Sequence, residues 1–205
     1  MSLVDSALLS VGVVIFLLVY SVRRIDGGSY RSAISRLGIN RRGAGRSILW
    51  ALVFMLPILA FLALWLPLMT ALFGNAFATA ETQASTIPRW YAGGLIIYLV
   101  FNAIMEEALG RGFMLERLMP SHPGTLRASF PAILGVSALG MLYHVPTYVL
   151  ASHFSPVSLL FNLVFVFVCF TFVGLAYVRS RVSNISGPIL VHFLLDAVPY
   201  FLLVL

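Results

Sequence analysis

Two adjacent carboxylates, Glu106 and Glu107, interrupt an apolar run, and Arg111 stands one helical turn beyond the second. Carrying an ionisable side chain into a bilayer costs about 2.5–3.5 kcal/mol on insertion scales, so such residues persist mainly where they face a protein interior or a wet cavity. At a spacing of four, Glu107 and Arg111 share a helix face and can pair. Glu106 projects about 100° away around the same helix, so one glutamate is neutralised and the other left free. Three more ionisable residues, His144, His192 and Asp196, recur in apolar surroundings, the last two again one turn apart. Glutamate and histidine in a water-accessible pocket of low polarity commonly deprotonate a water and aim it at an electrophilic carbon. In that chemistry Glu106 takes the proton, His144 holds the water, and His192 with Asp196 stabilises an oxyanion or orients the group that does. Glu106, His144 and His192 would equally make a shell for zinc or another divalent metal, with the ion activating the water. The HExxH spacing of a conventional zincin is absent, and metal use stays open.

Elements that must carry these residues follow from composition. The 205 residues are 60% apolar and 10% charged, with a mean hydropathy of +1.00, against roughly 45–50% apolar and 25% charged in soluble domains. This composition predicts an all-α membrane helix bundle forming one integral domain, 1–205, with the polar residues in its core at 91–200. Six spans are expected, near 4–22, 48–72, 91–118, 130–150, 157–178 and 188–205. Residues 1–22 have the length of a signal peptide but carry Asp5 where a basic start is usual, which favours a retained first helix. Pro57 and Pro67 predict kinks in the second span.

The net charge of +6 comes from thirteen arginines, and seven of these lie between Arg23 and Arg46. That clustering speaks for membrane topology and against nucleic acid: the loop is cytoplasmic and both termini fall outside. Within it, SYRSAISRLGI has the amphipathic character of a segment resting on anionic lipid headgroups. The single cysteine, Cys169, lies in an apolar run and is expected only to pack.

Taken in order, Glu106-Glu107-x-x-x-Arg111, His144 late in a following helix, and His192-x-x-x-Asp196 resemble the three motifs of the CAAX prenyl protease and bacteriocin-processing family, also called the ABI family, of intramembrane endopeptidases. The first motif matches fully. In the second, usually Phe-x-x-x-His, Gly140 stands at the Phe position, which alters the packing behind His144 and leaves room for a wider pocket. The third, usually His-x-x-x-Asn, has the Asp variant. The resemblance implies a helical bundle in a multi-pass protein of the plasma membrane. It also implies cleavage of a hydrophobic or lipid-anchored peptide, plausibly the C-terminal tripeptide of a prenylated CAAX substrate. Glu106 and His144 would activate the water, His192 and Asp196 would act on the oxyanion, and Glu107 with Arg111 would support them.

Plainer readings compete. The glutamates and Arg111 could form a buried ion cluster serving assembly, His144 could be a hydrogen-bonded core histidine, and His192 and Asp196 could bond only each other. Tyr143, Phe113, Tyr148 and Trp90 read as packing or interfacial anchors, and His122 and His153 as solvated loop residues. A proton-coupled transporter would also place Glu, His, Arg and Asp in apolar helices, and a non-catalytic member of the family would act by binding, as an immunity protein or chaperone. One geometric expectation opposes the protease: with helix centres in one plane, His144 falls roughly 13 Å from Glu106 along the membrane normal.

Overall fold

A computed structural model of the chain describes residues 3–74, 92–119, 125–151, 156–180 and 182–204. Among the described residues every regular element is helical. The order is α1 (Leu3–Asp26), α2 (Tyr30–Arg36), α3 (Ala44–Phe73), α4 (Ala92–Glu107), a π-helical segment (Ala108–Leu115), α5 (Glu116–Leu118), α6 (Leu126–Ala151), α7 (Pro156–Ser180) and α8 (Ser186–Val204). Three of these, over Ala44–Phe73, Leu126–Val149 and Leu159–Ser180, are long and apolar enough to cross a membrane. The other stretches expected to span fall in α1, in α4 with its π-helical continuation, and in α8. Helix α3 keeps Pro57 and Pro67 inside one unbroken element. Its outer face leaves Leu49, Leu56 and Leu64 exposed, the last at 75%, as a lipid-facing surface would.

Helices α6 and α7 pack extensively on each other, α3 lies against α7 and α8, and α4 lies against α1 and α8. Lipid is as apolar as leucine, so contacts between helices in a bilayer rest on close packing and hydrogen bonds more than on removal from water. Both are visible where the chain enters α8. Asn184, fully buried, donates through Nδ2 to the carbonyls of Asn40 and Arg42, and its Oδ1 accepts from the Ser186 amide at 2.9 Å. Ser47 of α3 donates to the Asn184 carbonyl at 2.8 Å and accepts from the Gly187 amide at 3.1 Å. A polar knot thus pins the arginine-rich connection to the helix that carries His192.

The amphipathic segment forms the short helix α2 and the residues just after it. Ser29 caps α2 by accepting from the Ser32 amide at 3.2 Å, a favoured capping arrangement. Ala33 and Leu37 then point inward, both fully buried in the core with Val22, Ala108, Leu115 and Ile185. Gly112 permits this: a Cβ there would sit 2.2 Å from the Leu37 carbonyl oxygen. The inner face of α2 therefore packs on α1, and Leu37 just beyond it meets the π-helical segment at Gly112, while Tyr30 and Ile34 remain exposed.

Candidate active site

Glu106 and Glu107 end α4, and the backbone changes to π-helix immediately after them. A π segment adds a residue per turn and is often found at functional sites. Arg111, inside it, still reaches back to Glu107: Nη1 donates to Oε1 at 3.0 Å, with each side chain only 1% exposed. Its Nη2 donates to the Phe170 carbonyl of α7 at 2.9 Å, and the guanidinium lies 4.3 Å from the centre of the Phe170 ring. The positive charge expected to neutralise one glutamate is thus held on three sides.

Glu106 takes another direction. Its Oε1 accepts from Asn102 Nδ2 at 2.9 Å, one turn earlier on α4. Its Oε2 is buried and has no hydrogen-bond partner. Two imidazoles face that oxygen: His144 Nε2 at 3.5 Å and His192 Nε2 at 3.6 Å. The opposite ring nitrogens fix the protons. His144 Nδ1 lies 2.8 Å from the Gly140 carbonyl, which can only accept, so Nδ1 carries the hydrogen. His192 Nδ1 lies 2.8 Å from Glu107 Oε1, and by the same reasoning it donates. Asp196 Oδ2 completes the group, 3.4 Å from His192 Nε2.

All six ionisable residues singled out in the sequence therefore converge, and the expected offset of His144 does not occur. Helix centres need not share one plane, because tilt and depth are set by packing against neighbours. Glu107 reaches further than an ion-pair partner of Arg111, since it also holds His192. Three residues escaped the sequence reading as members of the site. Asn102 was visible only as an isolated amide, although its spacing of four before Glu106 is the signal for a shared helix face. Phe170 comes from a helix in which nearly every residue is apolar, so nothing in the pattern distinguishes it. Tyr148 stacks on His144 with ring centres 5.7 Å apart and planes at 23°, a more specific position than an interfacial anchor would need. Phe113 does pack, against the core of α1, α2 and the π segment. Cys169 is free and buried. Trp90, His122 and His153 lie outside the described residues.

Two cavities meet at the site. One, about 50 Å³, is lined by Glu107, Arg111, His144, Phe170, His192 and Asp196 among others, and so has polar partners and room for a water. The other, about 290 Å³, is almost wholly apolar and reaches Glu106 from the side of Met105, Leu109, Met114, Leu139 and Tyr143. A wider polar basin of about 920 Å³, bounded by Asp26, Arg36, Arg42, Glu116 and Arg117, lies away from the histidines. Among the described residues no group of three or more His, Cys, Asp and Glu side chains is placed to hold a metal ion.

Against known proteins, one family model, type II CAAX prenyl endopeptidase Rce1-like, matches residues 88–198, more than half of the chain. The chain belongs to this Rce1-like family. No curated protein and no solved structure matches it. The matched stretch of this Rce1-like protein contains Glu106, Glu107, Arg111, His144, His192 and Asp196, together with Asn102, Tyr148 and Phe170. Family and fold together describe a helical membrane protein of a protease family.

Proposed function

We propose that this Rce1-like protein is a multi-pass intramembrane endopeptidase of the plasma membrane that hydrolyses a peptide bond in a hydrophobic or lipid-anchored substrate. The observation that carries the reading is Glu106 Oε2: a buried oxygen without a hydrogen-bond partner, faced by two imidazole nitrogens at 3.5 and 3.6 Å. Glu107 Oε2 and Arg111 Nε are also buried without partners, and what sets Glu106 Oε2 apart is that both Nε2 atoms face it. An unsatisfied buried group costs about 1–3 kcal/mol, which a water or substrate held there would relieve.

In the reaction, a water seated beside Glu106 and His144 and hydrogen-bonded to both gives its proton to Oε2, and the resulting hydroxide attacks the carbonyl carbon of the scissile peptide. Asn102 holds the carboxylate from its far side during the transfer. The tetrahedral oxyanion is met by His192, which is turned by Glu107 at Nδ1 and, when also protonated at Nε2, donates from there with Asp196 beside it. Collapse of the intermediate returns the proton from Glu106 to the departing amine, leaving an acid and an amine as products. Arg111 holds Glu107 in place throughout. The apolar cavity next to Glu106 suits an aliphatic or prenyl chain attached near the cut, and supports the C-terminal tripeptide of a prenylated CAAX sequence as the leaving fragment.

The test is incubation of detergent-purified protein with a farnesylated CAAX peptide and with its unprenylated counterpart, products being read by mass spectrometry. Release of the intact tripeptide from the farnesylated peptide supports the reading. Release from both peptides equally removes the prenyl requirement, and no release from any membrane peptide sinks the hydrolytic function.

A further inference from the structure

Gly140 leaves a space on α6, and the structure fills it from another helix. A Cβ built on Gly140 would lie 2.4 Å from Cε1 and 2.5 Å from Cδ1 of Phe170, well inside contact distance, so any side chain at this position competes with the Phe170 ring for the same volume. Gly140 also lines the apolar cavity of about 290 Å³, so the ring from α7 and the cavity share the space beside the glycine. The same ring touches His144, His192 and Arg111. It stands edge-on to His144 at 5.9 Å and 76°, edge-on to His192 at 6.3 Å and 65°, and flat beneath the Arg111 guanidinium at 4.3 Å. Its own carbonyl accepts from Arg111, which fixes the backbone from which the ring projects. It also borders both the small polar cavity and the apolar one.

We propose that Phe170 is the positioning residue of the site: seated in the socket left by Gly140, it sets the distance of both histidines from Glu106 and forms the partition between the water-holding cavity and the apolar cavity. Edge-on aromatic contacts of this kind contribute about 0.5–1.5 kcal/mol beyond burial, and the geometry matters more than that energy. Both His144 Nε2 and His192 Nε2 converge on one oxygen, and each ring has Phe170 at its side. Rings freed to tilt by about 1 Å lose reactive geometry worth on the order of 10²-fold in rate. Gly140 acts twice, since its carbonyl also holds His144 Nδ1.

This inference rests on the hydrolytic reading, so the experiment has two independent readouts: peptide release, and the histidine Hε1 resonances of the detergent-solubilised protein, assigned by replacing each histidine. Four proteins are compared: the unmutated chain, Phe170→Leu, Gly140→Phe, and the exchange Gly140→Phe with Phe170→Gly. The expected result is a fall in kcat of about 10²-fold with KM changed less than about threefold for either single variant, and recovery of at least about tenfold in the exchange, where one aromatic ring again fills the shared volume. The His144 and His192 signals, lying in the ring current of Phe170, shift in Phe170→Leu and move back in the exchange. Phe170→Leu keeps most of the packing volume and guards against a variant that fails to fold. A Phe170→Leu protein with kcat within about twofold of the unmutated chain, an exchange no better than Gly140→Phe alone, or unshifted histidine signals would each overturn the proposal. Shifted signals in a chain that never cleaves would leave the positioning role standing and remove the hydrolytic reading alone.

Discussion

The Glu107–Arg111 pair sets stability and chemistry against each other in a way that one mutant series can separate. Both side chains are 1% exposed and joined at 3.0 Å, and Arg111 also serves the Phe170 carbonyl at 2.9 Å. Arg111→Met keeps the length and apolar volume of the side chain but leaves Glu107 as a buried charge facing only His192. Breaking a buried pair by removing one partner costs about 3–5 kcal/mol, and the abandoned carbonyl adds about 1–3 kcal/mol if no water reaches it. The single variant should therefore lose about 4 kcal/mol or more of unfolding free energy. Adding Glu107→Gln removes the stranded charge, and replacing a whole buried pair by neutral groups is often close to neutral. The double variant should then recover at least about 2 kcal/mol relative to Arg111→Met. Activity should not recover, because the amide at position 107 no longer supplies the negative charge that orients His192; loss of such an orienting partner costs about 10–100-fold. The assay is denaturant unfolding in detergent micelles, followed by tryptophan fluorescence, beside peptide release by the same preparations. A single variant within about 1 kcal/mol of the unmutated protein would refute the buried-pair argument, as would a double variant less stable than the single.

Three further outcomes follow from the same geometry. Asn102→Ala releases Glu106 Oε1 from its 2.9 Å hydrogen bond and should lower kcat about tenfold or more with little change in KM, since the bond orients the base without touching substrate; steady-state kinetics on the farnesylated peptide check it. Gly112→Ala would place a methyl 2.2 Å from the Leu37 carbonyl oxygen, backbone that cannot step aside, and should cost about 1–3 kcal/mol or more. Gly45→Ala, with nothing within 4 Å of the new Cβ, should leave the unfolding midpoint unchanged or raise it.

The site was unusually legible because each ionisable residue stands out against an apolar background. Glu106, Glu107, Arg111, His144, His192 and Asp196 could be picked from the chain before any coordinate was known, since a bilayer makes such residues too costly to keep idly. Spacing alone gave the Glu107–Arg111 contact. What spacing could not give was contact between helices. That Glu107 binds His192, 85 positions away, depends on how α4 and α8 lie together. The membership of Phe170 depends likewise on the meeting of α6 and α7, and is written jointly by Gly140 and an aromatic residue indistinguishable from its neighbours. The π-helical segment was also hidden, because its apolar residues fit an α-helix equally well. The amphipathic segment before α3 shows the same limit: its pattern marks an apolar side, but that Ala33 and Leu37 enter the core depends on the close approach that Gly112 tolerates.

The account turns on Glu106 as the base, and Glu106→Gln tests it most directly, because the amide keeps the shape and the bond to Asn102 but cannot take a proton from water. The measurement is single-turnover release of the tripeptide from a saturating farnesylated peptide, with binding of the same peptide followed separately by fluorescence. The account predicts peptide binding unchanged within about threefold and cleavage reduced by at least about 10³-fold, in keeping with loss of general-base catalysis and of correct water placement together. Cleavage by Glu106→Gln within about tenfold of the unmutated rate would contradict it, and would move the base to another of the groups around His192.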